Sequence, residues 1–134
     1  MRLLLDTHVL LWALQDSDQL SQKARELILD ARNQPFYSVA ALWEVQIKHA
    51  SHPDRMLVDA ESLGEYCEQA GFEPLPITQR HVMMLDSLSR PEDAPAHHDP
   101  FDRIMICQAK ADGLVLLTHD SLLPDYGEPC VLCL

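Results

Sequence analysis

Apolar residues in this chain come in short runs, and polar turn residues punctuate them. The run over 2–5, rich in leucine and halted by Asp6-Thr7, predicts a buried strand. From Val9 to Leu14 the sequence stays apolar, with Trp12 inside it, and begins a helix. Ser21 reads as the N-cap of a helix over about 22–33, because Ala24, Leu27, Ile28 and Ala31 fall on one stripe. Residues 35–38 predict a second strand, and Ser38 caps a helix running to about residue 50. The stretch His52-Pro53-Asp54-Arg55 is a turn; Asp59 opens the next helix and Gly71 closes it. Pro74 and Pro76 limit residues 72–77 to a short or edge strand. Thr78 caps a helix over about 79–88, and residues 89–98 lack apolar periodicity and read as an exposed loop. Asp99-Pro100 supplies an N-cap and a first helical residue, Gly113 ends that helix, and 114–118 is a buried strand. A loop with Pro124 and Gly127 leads to a last short strand over 131–134.

Strands thus alternate with helices throughout, with no internal repeat, linker or boundary. The pattern predicts one α/β domain over 1–134, a three-layer α/β/α sandwich whose central, mostly parallel sheet has four to five strands. In such sheets a ligand site lies beyond the carboxyl ends of the strands.

Composition narrows the function classes. With 47% hydrophobic and 23% charged residues in 134, disorder and low-complexity architectures are excluded. Ten Lys+Arg against 21 Asp+Glu give a net charge of −11, the wrong sign for a protein that wraps duplex DNA through its phosphates. Acids that hold divalent cations, or a basic partner, fit that charge. No apolar run is long enough to span a bilayer, and the leading leucines meet Asp6 too soon for a signal-peptide core. The expectation is a soluble cytoplasmic protein. Cys67 and Cys107 read as small core residues. Cys130 and Cys133 have C-x-x-C spacing but sit in a strand-like stretch, where i and i+3 face opposite ways; a zinc knuckle and a disulfide framework are both disfavoured.

Four acids stand out. Asp6 follows the first strand directly, and Asp120 lies two residues past Thr118, so parallel strands bring both carboxylates to one edge. Glu44 interrupts 39–45, otherwise apolar on nearly all sides, which predicts a largely buried helix and a desolvated carboxylate. Asp102 lies in the first turn of the helix that starts at Pro100, amid Phe101, Ile104 and Met105. A buried carboxylate is costly unless paired or bound to a metal. Each also has an ordinary role open to it: Asp6 as a helix cap, Asp102 on the helix dipole, Glu44 paired with Lys48, Asp120 in a turn, and Asp99 nearby as an N-cap. Together they place several acids near one edge, with Lys48 and Arg103 as the obvious basic neighbours. Such a set suits Mg²⁺ or Mn²⁺ over zinc, and the phosphodiester hydrolysis these ions support.

Five segments carry a family likeness: Leu4-Leu5-Asp6-Thr7-His8-Val9-Leu10-Leu11-Trp12; Ser38-Val39-Ala40-Ala41-Leu42-Trp43-Glu44-Val45-Gln46-Ile47-Lys48; Leu75-Pro76-Ile77-Thr78 with His81; His97-His98-Asp99-Pro100-Phe101-Asp102-Arg103, continuing to Gln108-Ala109; and Thr118-His119-Asp120. In this order the chain resembles PIN-domain proteins, and within them the VapC-type toxins of toxin–antitoxin pairs, over essentially its whole length. The resemblance implies a parallel sheet between helices and an endoribonuclease that cuts tRNA, rRNA or mRNA with water activated by carboxylate-held Mg²⁺ or Mn²⁺. It maps the metal and catalytic acids onto Asp6, Glu44, Asp102 and Asp120. The family's small hydroxyls match Thr7 or Ser38, and Thr118. Asp99 matches as a cap touching the surroundings of the site, and Arg103 as a residue that orients a carboxylate or meets substrate phosphate. Implied partners are the RNA substrate, an antitoxin that covers the acidic edge and inserts an Arg or Lys, and a second copy packed across a two-fold axis. Toxin and antitoxin would then form a hetero-oligomer. Relatives commonly have a glycine after the Ile47-Lys48 segment; this chain has Ala50-Ser51-His52-Pro53.

The remaining candidates are weighed by position. His8, His81 and His97 read as structural, while His98 and His119 fall near the site, where they could move protons or bind phosphate. Trp12 and Trp43 read as core or interface residues. No glycine spacing forms a phosphate loop. Two rival readings remain: a catalytically silent module of the same fold that binds RNA or protein, disfavoured by the intact acid set, and a structure-specific DNA nuclease, disfavoured by the short length and the −11 charge.

Overall fold

The leucine run lies at the middle of the protein in its computed structural model, which describes residues 1–134. Five strands, β1 (Arg2–Leu5), β2 (Gln34–Ser38), β3 (Glu73–Leu75), β4 (Val115–Thr118) and β5 (Val131–Cys133), form one sheet. Their order is β3-β2-β1-β4-β5, and every pairing is parallel. Six helices cover the sheet: α1 (Thr7–Gln15), α2 (Gln22–Leu29), α3 (Val39–Ser51), α4 (Ala60–Gln69), α5 (Gln79–Met83) and α6 (Pro100–Asp112). The alternation of a strand's side chains separates two cores. Leu3, Leu5, Tyr37 and Leu117 pack with Val9, Leu10, Ala41, Val45 and Leu63 on one face. Leu4 and Leu116 pack with Met105, Ile106 and Ala109 on the other. This is the expected three-layer sandwich, with the upper strand count and a wholly parallel sheet. No helix is long and apolar enough to cross a membrane.

Local chemistry sets most boundaries where the sequence predicts them. Ser21, Ser38, Asp59, Thr78 and Asp99 each accept a backbone N–H of the helix they start. Gly71 and Gly113 take positive φ angles just past α4 and α6. Three expectations shift. The helix expected over 22–33 stops at Leu29, because Asp30 turns the chain and its carboxylate binds Arg32. The helix expected to reach residue 88 tightens into a 3₁₀ turn over Met84–Ser87. The third concerns α3, expected to be largely buried: it exposes one stripe, with Val39, Trp43 and Ile47 at 40%, 59% and 44%. Glu44 lies off that stripe and is 5% exposed.

Ser38 ties the end of β2 and the start of α3 to α6. Its hydroxyl caps Ala40 and donates to Gln108 Oε1 at 2.6 Å, while the Gln108 amide reaches the carbonyls of Leu75 and Pro76. Both side chains are fully buried. Ser38→Ala leaves a buried acceptor unpaired and a helix uncapped, so it should cost about 2–3 kcal/mol in urea denaturation. A loss below about 0.5 kcal/mol, the range of an ordinary surface substitution, contradicts this account of the bond.

Candidate metal and active site

The strand order reverses at β1, since the chain runs β1 to β3 on one side and then crosses to β4 and β5 on the other. Beyond the carboxyl ends of β1 and β4 this reversal leaves a crevice. A cleft of about 330 Å³ opens there, lined by Asp6, His8, Trp12, Glu44, Lys48, Asp99, Asp102, His119 and Asp120. All four acids singled out in the sequence face it, from four different elements or their ends.

Each acid is held by specific partners. Asp6 stands at the N-cap position of α1 yet makes no capping bond with its side chain. Instead its Oδ2 accepts the Thr118 hydroxyl at 2.5 Å across the β1–β4 seam. The same hydroxyl oxygen accepts the backbone N–H of Asp120 at 3.0 Å, so one threonine sets the spacing of two acids. Asp120 also accepts the N–H of Leu122, which makes it a turn residue as well as a cleft residue. Glu44 is tied at both oxygens, by Thr7 at 2.8 Å and by Lys48 at 2.6 Å. Asp99 accepts the N–H groups of Phe101 and Asp102 and thereby starts α6. The Asp102 Oδ2 faces His97 Nε2 at 3.1 Å. His97, Asp102 and Asp120 each offer one ligand atom, all within 4.8 Å of one another.

Five carboxylates therefore share the cleft with Lys48 as its single lysine or arginine. Burial pushes the Asp102 carboxyl up to about 8, and the charges of Asp6, Asp99, Glu44 and Asp120 all add to the rise. Burial also raises Asp6, although the Thr118 hydroxyl bond acts the other way. Burial lowers His97, with the Asp120 charge acting the other way. Five carboxylates that repel one another, with little compensating charge and the His97 ring behind Asp102, fit a hard divalent cation.

The other sequence candidates divide. Thr7 and Thr118 touch the acids, while Ser38 serves Gln108 and the α3 cap and does not line the cleft. Arg103 orients no carboxylate; its guanidinium lies over the Tyr126 ring and donates to the Tyr126 hydroxyl. His98 is exposed outside the cleft, whereas His119 lines it. His8 lines it too, contrary to its structural reading, and His81 keeps that reading by closing a capping box with Thr78. Trp12 is half-buried against the first core and also walls the cleft, between the rings of His8 and His119. Trp43 is exposed, edge-on to Phe101. Cys67 and Cys107 are fully buried, and Cys130 and Cys133 stay free, in contact with the Ile106 and Asp120 carbonyls respectively. The His97–Tyr126 contact was not legible in the sequence; only the His97–Asp102 contact had a signal, His97 standing just ahead of the Asp99-Pro100 helix start.

The chain matches the family model described as PIN domain over residues 3–129. No curated protein matches it. Among solved structures, VapBC2 from Rickettsia felis, bound to a DNA fragment from its promoter, is 15% identical with a TM-score of 0.67, covering 100% of this chain and 98% of that one. DNA-bound VapBC from Salmonella typhimurium is 14% identical with a TM-score of 0.67, covering 99% and 98%. A toxin–antitoxin complex from Klebsiella pneumoniae is 19% identical with a TM-score of 0.57, covering 96% and 94%. At these identities the likeness establishes the fold.

The raised Asp102 carboxyl has a consequence for stability. The native protein holds that proton more tightly than the unfolded chain does, so stability falls as pH rises from the ordinary carboxylate range to about 8. In EDTA, Asp102→Asn should therefore melt above wild type at pH 8, by a few degrees or more, with the gap closing towards pH 4. Calorimetric melts across that range check it; an equal or lower melting temperature at pH 8, or a gap independent of pH, contradicts it.

Proposed function

Because the chain belongs to the PIN domain family, we propose that it is a divalent-metal-dependent endoribonuclease and the toxin half of a toxin–antitoxin pair. The observation that carries this reading is the cleft itself, five carboxylates against one lysine beyond the carboxyl ends of β1 and β4. Asp6, Glu44, Asp102 and Asp120 would hold Mg²⁺ or Mn²⁺, which when bound makes water more acidic and offsets charge on a phosphate under attack. The chain's own residues orient the acids. Thr118 spaces Asp6 from Asp120, Thr7 and Lys48 fix Glu44, and Asp99 sets the first turn of α6 that carries Asp102. The Lys48 ammonium is half exposed at the rim and uses one hydrogen on Glu44, leaving others for a substrate phosphate.

Surface features support the partner reading. Helix α1 lines the cleft with His8 and Trp12 and, further along, lines an apolar groove with Leu11 and Leu14 against Leu63 and Tyr66. An antitoxin segment that fills this groove with apolar side chains could place an arginine or lysine among the acids. The net charge of −11 suits such a basic residue. The shared fold with the VapBC complexes supports a protein partner of this kind. The exposed Val39, Trp43 and Ile47 stripe of α3 supports packing against a second copy.

The purified protein should cut structured RNA in Mg²⁺ or Mn²⁺ and stop in EDTA. Asp6→Asn should lose on the order of a hundredfold or more in cleavage rate while melting as a folded protein. Cleavage that persists in EDTA, or an Asp6→Asn variant as active as wild type, overturns the reading.

A further inference from the structure

Asp102 differs from its neighbours in how it is held. Hydroxyls or a lysine meet Asp6 and Glu44, but Asp102 Oδ2 meets the ring of His97. His97 is buried in the segment before α6, and its other nitrogen, Nδ1, lies 2.7 Å from the Tyr126 hydroxyl. Two guanidiniums lie over the Tyr126 ring, Arg90 at 5.1 Å and Arg103 at 5.8 Å from its centroid. Arg90 also binds Asp125 and the carbonyls of Pro95 and Leu122, which ties the His97 segment to the turn that carries Tyr126.

The distances favour one placement of the hydrogens. A phenol has one hydrogen to give. Arg103 donates to the Tyr126 oxygen, and His97 Nδ1 is the nearest acceptor, closer than the His97 carbonyl at 3.4 Å. With the tyrosine hydrogen on its shorter contact, to Nδ1, the ring carries a hydrogen on Nε2, aimed at Asp102. No protein donor meets the Asp102 Oδ1. We propose that His97 is a positioning residue: held by Tyr126 in its Nε2–H form, it anchors one oxygen of Asp102 and turns the other towards a divalent cation shared with Asp120. The proposal rests on the metal reading of the cleft. Partners of this kind behind a metal ligand govern affinity because they set the ligand's orientation and hold its charge.

Mn²⁺ titration by calorimetry tests it, on wild type, His97→Ala, His97→Asn, His97→Gln and Tyr126→Phe, each shown by melting to be folded. A Gln amide reaches the place of Nε2, whereas an Asn amide stops near the place of Nδ1, short of Asp102. Ala and Asn should weaken Mn²⁺ binding by about 10- to 100-fold, with Gln recovering most of the loss, and Tyr126→Phe should weaken it by about threefold or more. Wild-type affinity in His97→Ala, or equal recovery by Asn and Gln, overturns the positioning role. Where His97→Ala does not fold, wild-type affinity in Tyr126→Phe overturns it instead. A wild-type protein that takes up no Mn²⁺ sinks the metal reading itself, whereas a tight wild type with indifferent variants sinks only the part given to His97.

Discussion

Like charges repel, and repulsion grows where water is excluded. In this protein Asp6, Glu44, Asp99, Asp102 and Asp120 face one cleft, and the fold holds them there with hydroxyls, one lysine and one histidine. None of these partners neutralises the set. The strain appears at Asp102, whose carboxyl is pushed up to about 8 by burial and by the other four acids. A fold selected for stability alone would have dispersed or paired these groups, because unpaired buried charge is among the most expensive features a domain can carry.

The parallel sheet makes the cluster possible. Asp6 follows β1 and Asp120 follows β4, and the strands are neighbours in register, so residues 114 apart in sequence meet across a threonine hydroxyl. The remaining acids arrive on helices. Glu44 comes in on the buried side of α3, and Asp102 sits at the start of α6, where backbone N–H groups favour negative charge. Several side chains serve fold and site together. Thr118 closes the β1–β4 seam and spaces two acids, and Asp99 caps a helix and faces the cleft.

Much of this was legible because its causes are local. The leucine run, the capping residues Ser21, Ser38, Asp59, Thr78 and Asp99, and the terminal Gly113 mark their elements within a few residues. The acids were legible as carboxylates in apolar surroundings or at strand ends. The missing parts are set by distant contacts. Periodicity cannot say whether an apolar stripe meets a core or solvent, so the exposed face of α3 is not legible in the sequence. Trp12 packs on the core as its apolar run suggests, but its second role, as a wall of the cleft, depends on the His119 ring far along the chain. Arg103 has a carboxylate one residue away, yet its guanidinium turns to Tyr126, 23 residues on. His97 takes its meaning from the same tyrosine.

If the acidic cleft is built for a divalent cation, binding that cation must relieve the repulsion among its carboxylates. Melting the protein at pH 7, first stripped with EDTA and then with millimolar Mn²⁺, measures that relief. The account predicts a higher melting temperature with Mn²⁺, by the several degrees that about 2–4 kcal/mol of linked binding gives in a chain this size. A melting temperature that stays put or falls would show that the carboxylates meet at this edge for some other reason.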